Sequence, residues 1–308
     1  MDNNAHAPDS VRNNFWDGKI KDEQHSFLAE DGKLNDNGIK AAVQRAFGDL
    51  SVRTMTRKGT GKIPCKDFYT EVCEKEEYKF LHHIKIWFES EEKVTAKAYD
   101  KWHEEACDII LNFLRTQYED SSVTYGKAQK VVNMTMKYLY CLKGAEQEQY
   151  KEKFQYCHMP LDSFMLEWFW REVAVWYNQP EVRESKKIFR GKIPTWSTMQ
   201  KEKGDDDTFE KNGKKYYTYS FFVNKIRKFF EENPDKYPGL TPFQAEFYIW
   251  PEIQICLSAE ELLSRLKSAE RITSDERKTQ IGCTMKEKLD EVKKAMKKYE
   301  SLSNDKNP

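Results

Sequence analysis

The stretch from Thr124 to Tyr177 limits the fold more than any other part of the chain. Its first segment, TYGKAQKVVNMTMKYLYCLKG, holds no proline, and Gly144 stands where a helix stop is expected. Thr124 is placed to cap the open amides of the first turn. At 100° per residue, Val131, Val132, Met134, Met136, Tyr138, Leu139 and Leu142 cover most of the circumference. Lys130, Asn133 and Lys137 form the narrow polar stripe that remains. A helix this apolar belongs inside a domain, so an ammonium on it must reach water or line a cavity.

The second segment, HMPLDSFMLEWFWREVAVWY, follows a polar link. Pro160 biases the chain before it towards an extended form, which leaves Asp162 as the N-cap of a second interior helix. One lysine and one aspartate are thereby expected to meet in a central buried helical hairpin. Elsewhere, helical spacing predicts elements over Ile39–Leu50, Asp67–Ser90 (a single helix), Ala96–Tyr118 and Met285–Leu302. YYTYSFFVNKIRKFF starts extended and turns helical, FQAEFYIWPEIQI is ended or kinked by Pro251, and Ser258 caps the segment after it. The class is mainly α, a multi-helix globular fold. Residues 1–14 read as a flexible leader, 15–280 as the helical part with an irregular charged insertion at 178–214, and 281–308 as a C-terminal helix and tail.

Several chemistries are disfavoured. Lysine plus arginine and aspartate plus glutamate number 51 each, so net charge gives no support to nucleic-acid binding, which would need a local patch. No segment approaches the roughly eighteen apolar residues that cross a bilayer. The seven cysteines are scattered without CxxC pairs, which points to a reducing cytoplasm and no metal or cluster. GTGK at 59–62 lacks the rest of a phosphate loop and reads as a solvated basic loop. Arg57 and Lys58 beside it are candidates for phosphate contact. His103 with Glu104, Glu105 and Asp108 reads as the solvated side of its helix.

The pieces AQKVVNMTMKYLYC and HMPLD resemble the lysine helix and the proline–x–aspartate turn of the helix-hairpin-helix DNA glycosylases. The likeness is closest to the archaeal 8-oxoguanine glycosylase branch. It covers about fifty residues, with lysine and aspartate 32 positions apart (130 to 162). The resemblance implies a helix-hairpin-helix glycosylase-like fold and a monomer without cofactor or metal. Its partner would be double-stranded DNA carrying a modified or damaged base, which is flipped out for excision in repair or phage defence. Lys130 would be the nucleophile, with lyase activity through a Schiff base, and Asp162 the carboxylate that stabilises the cationic sugar. Gly126, Lys127 and Lys137 would hold the DNA backbone, and Gln129, Asn133, Tyr140, His158 and Trp168 are candidates for the base pocket. One departure stands out: where the family has a glycine-rich hairpin turn, this chain reads SSVTYG and keeps only Gly126. The competing reading is a non-enzymatic helical module that binds nucleic acid or protein in a stress or phage-defence system. A helical RNA-cleaving toxin is weaker, because no helix carries an arginine and histidine at the needed four-to-six-residue spacing.

Overall fold

Among the described residues of the computed structural model, Asn35 opens the first helix by accepting a hydrogen bond from the Asn37 amide at 3.0 Å. The structure describes residues 26–50, 55–58, 67–177, 190–201, 207–269, 286–294 and 296–297; the leader at 1–14 and the GTGK loop lie outside them. Helix α1 (Asp36–Gly48) buries Ile39, Ala42, Val43, Ala46 and Phe47 along one face. The stretch expected as one helix is two, α2 (Phe68–Glu74) and α3 (Phe80–Glu89), because Lys79 adopts a left-handed φ of 50° between them. The break sends Phe68 against Phe47 and Phe113 while Phe88 packs on Phe27 and Phe154. Thr95 caps α4 (Ala96–Gln117) through the Ala98 amide.

Helix α5 (Tyr125–Tyr140) is the interior helix foreseen in the sequence, and it lies against α1 and α4. Val131, Val132, Met136 and Leu139 are fully buried, each contributing about 1.5–3 kcal/mol of transfer free energy. Thr124 does not cap it; the hydroxyl donates instead to the Ser197 carbonyl at 2.8 Å. After α6 (Glu148–Phe154), Asp162 caps α7 (Ser163–Trp168), which runs through one π turn (Phe169–Val173) into α8 (Ala174–Tyr177). Helix α7 packs on a later helix rather than along α5, and the two segments are joined where Gln129 of α5 binds the 160–162 turn.

An antiparallel hairpin, β1 (Thr208–Lys211) with β2 (Lys214–Tyr217), turns over Asn212-Gly213, both at positive φ. It feeds α9 (Tyr219–Glu232), capped by Thr218, in line with the extended-then-helical reading. Helix α10 (Pro242–Ala269) continues through Pro251, and Ser258 lies within it rather than capping a new helix. Proline removes one hydrogen bond from a helix, but the α10–α7 contact and the burial of Phe243, Phe247 and Ile249 hold the segment in line. Among the described residues no helix is long and apolar enough to cross a membrane.

Candidate functional site

The carboxamide of Gln129 joins the two segments. Fully buried, its Nε2 donates to the Gly126 carbonyl at 2.9 Å and to the Leu161 carbonyl at 3.1 Å. The residues that follow these anchors in the chain are Lys130 and Asp162. Asp162 Oδ1 accepts from the amides of Phe164 at 2.9 Å and Met165 at 3.0 Å, while Oδ2 accepts from the Trp250 indole N–H at 3.0 Å. The carboxylate is therefore the N-cap expected from sequence, and α10 fixes its second oxygen. Lys130 is half-buried and sets its ammonium over the Trp196 ring, 4.5 Å from the centroid. Trp196 and Ser163, the residue after Asp162, both border a cleft of about 440 Å³ that also has Leu166, Trp170 and Arg190 in its walls. The 124–177 stretch thus supplies a carboxylate held at a helix N-terminus and an amine, and the 190–197 segment supplies the aromatic face under that amine; neither Lys130 nor Asp162 is itself a wall of the cleft.

Most other residues singled out in the sequence are spent on the fold. The Gly126 amide donates to the Met199 carbonyl at 2.9 Å, and a Cβ there would meet the Trp196 carbonyl oxygen at 1.8 Å. This glycine allows close backbone packing. Lys127 is buried with its ammonium on the Ser122 carbonyl, and burial, then the charge of Lys211, lowers its pKa. Lys137 forms a buried ion pair with Glu246 and lies over the Phe247 ring. Lys58 binds Asp120 and the Arg115 carbonyl, each at 2.9 Å; Arg57 is exposed, in a bridge with Tyr118. Tyr140 packs among Phe154, Phe243 and Phe247, and Trp168 among Phe229, Phe230 and Tyr237, so both are core residues.

Gln129, Asn133 and His158 belong to a polar chain that the sequence did not reveal. His103, expected on a solvated face, is 1% exposed, whereas Glu104, Glu105 and Asp108 do face water. Its four- and seven-residue offsets from Tyr99, Cys107 and Ile110 mark the core face, the signal that could have placed it. Proton positions follow from the geometry. His103 Nε2 donates to Asn133 Oδ1 at 2.8 Å, and Asn133 Nδ2 donates to Gln129 Oε1 at 2.8 Å and to the Tyr219 oxygen at 2.9 Å. Tyr219 donates to His158 Nδ1 at 2.9 Å, and His158 Nε2, 2.7 Å from Asp100, carries the proton that binds it. Arg227 closes the chain with two hydrogen bonds to Asp100, at 2.7 and 2.8 Å. Asp100 comes from α4 and Tyr219 and Arg227 from two turns of α9, and the three have no joint signature in the sequence.

Charge in this chain is arranged around two neutral imidazoles. Burial, then the charge of His158, pushes the His103 pKa well below the ordinary histidine value. Burial also lowers His158, and its Asp100 hydrogen bond opposes this only in part. Burial would raise Asp100, but hydrogen bonds from His158 and Arg227 outweigh it and hold the carboxyl far below the usual range. The unfolded chain thus takes up protons on these histidines that the folded chain refuses. Their contribution to stability is complete above the unfolded value of about 6.5 and is lost as pH falls below it, at about 1.4 kcal/mol per pH unit for each histidine. His83, also lowered by burial, adds a loss of the same sign. Asp100 keeps its contribution throughout that window. Thermal melts at pH 7.5, 6.5 and 5.5 should show a falling Tm, with a flatter dependence in His103→Gln; a Tm that holds constant across the series would contradict this protonation scheme.

Comparison of the chain with family models, curated proteins and solved structures gives no match.

Proposed function

We propose that this chain is a DNA glycosylase that excises a modified or damaged base, with Lys130 as nucleophile and Asp162 as the stabilising carboxylate. The observation that carries the reading is the Gln129–Leu161 hydrogen bond, which draws the lysine helix and the aspartate turn together at one end of α5. In the proposed step the Lys130 ammonium leaves the Trp196 face and gives up a proton. Its lone pair forms a bond to the anomeric carbon as the glycosidic bond breaks, and the base departs with that electron pair and gains a proton. Asp162, held by two amides and the Trp250 indole, faces the positive charge that develops on the sugar. Loss of a proton and ring opening leave a Schiff base, from which the 3′ phosphate is eliminated.

The test is borohydride trapping on a set of duplex oligonucleotides that each carry one altered base. Wild type should give a covalent adduct with at least one substrate. Lys130→Ala should give none, and Asp162→Asn, which keeps a capping side chain, should slow excision by about 10²–10³-fold. Wild type that neither traps nor excises on any duplex would remove the proposal, as would trapping by Lys130→Ala at the wild-type rate. The second reading, a non-enzymatic helical module, draws support from the burial of Lys127 and Lys137. It expects both substitutions to leave nucleic-acid or protein binding unchanged.

A further inference from the structure

A second cavity, of about 320 Å³, opens between α9, the 234–242 loop and the 155–161 segment. It shares no lining residue with the cleft beside Trp196. Its volume lies at the small end of the roughly 300–1,000 Å³ typical of small-molecule sites. The walls are apolar and aromatic, with Tyr156 and the stacked pair Phe230–Tyr237, whose rings lie 5.0 Å apart at 21°. Such walls suit a flat ring.

The polar groups at the cavity select among flat rings. Arg227 uses Nη1 and Nη2 on Asp100, while its Nε–H takes no partner among the described residues. The side-chain carboxamide of Gln155 also has no partner there and offers one acceptor and two donors. Glu231, one turn beyond Arg227 on α9, adds an exposed carboxylate. A donor, an amide and an acceptor match a ring with mixed hydrogen-bonding edges. The charge excludes anions: Asp100 already neutralises Arg227, and Glu231 would repel a carboxylate or phosphate.

We propose that this cavity is a second binding site, specific for a neutral heteroaromatic molecule of nucleobase or nucleoside size, stacked on the aromatic walls and hydrogen-bonded by Arg227, Gln155 and Glu231. The site stands apart from the excision chemistry proposed for Lys130 and is read without DNA. His158, one of its lining residues, is a link of the polar chain that ends at the Leu161 carbonyl, so an occupant sits beside the group of residues that holds the Asp162 turn.

Calorimetry and saturation-transfer NMR on the full chain test it, using adenine, cytosine, uracil, adenosine, adenosine monophosphate and benzoate as probes. At least one free base or its nucleoside should bind, the monophosphate at least about tenfold more weakly, and benzoate not at all. Leu240→Trp, which fills the cavity from its half-exposed rim, should abolish binding. Glu231→Ala, on the exposed end of α9, should weaken it about tenfold, the value of one hydrogen bond to a charged group. Lys130→Ala should bind as wild type does. The proposal is overturned if no neutral heterocycle binds at millimolar concentration, or if benzoate or the monophosphate binds best. It is overturned equally if Glu231→Ala binds like wild type, if binding survives Leu240→Trp, or if Lys130→Ala removes it, which would place the molecule in the other cleft.

Discussion

Lys137→Ala is expected to destabilise the protein by about 3–5 kcal/mol, because it leaves the Glu246 carboxylate without its ammonium in the core. Both side chains are 2% exposed, so water cannot take the place of the lost partner. For a chain of this length that amounts to a fall in Tm of roughly 5–8 °C. The paired replacement Lys137→Met with Glu246→Leu should recover most of the loss, since apolar side chains of similar volume avoid the cost of dehydrating two charges. Urea denaturation of the two variants beside wild type gives the comparison. Equal stability of Lys137→Ala and wild type would mean that the charges are solvated.

Gly126→Ala carries the second large effect. Alanine is the better helix former by about 1 kcal/mol, so an open helical site would gain from the change. Here the added methyl would stand 1.8 Å from the Trp196 carbonyl oxygen and 3.0 Å from the Met199 Cβ. Neither contact is the far end of a flexible chain, so the 196–199 turn would have to move away from α5 as a unit. Crowding of this kind costs about 1–3 kcal/mol, and more where backbone must shift, which outweighs the propensity gain. A net loss of about 2 kcal/mol or more is expected, measured as a lower urea midpoint. The displaced turn carries Trp196, so Lys130 should lose its aromatic partner in the same variant. A midpoint at or above the wild-type value would show that the two backbones are farther apart than the structure places them.

What could be read from the sequence follows from where the signal sits. The α5 periodicity and the Asp162 cap were legible because both depend on residues within a few positions of each other. Lys79 was not, because a lysine seldom takes a left-handed backbone and nothing local marks it. Pro251 misled in the opposite direction: its local effect is to end a helix, and packing of α10 on α7 overrides it. The family resemblance points Lys127 and Lys137 at a DNA backbone, while the partners that draw them inward, Ser122 and Glu246, lie outside any local pattern or more than a hundred residues away. The polar chain is the extreme case. Asp100, His103, Asn133, His158, Tyr219 and Arg227 converge from helices and a loop that become neighbours only in the folded state.

The clasp between Gln129 and the 160–162 turn grips main chain, not side chain. Residue 161 could change its identity and still offer the same oxygen. Position 129 has no such latitude: asparagine falls one methylene short, and glutamate has no hydrogen to give. A distant cousin of this chain could thus rewrite the turn that bears the aspartate, and the glutamine beside the lysine would still betray the kinship.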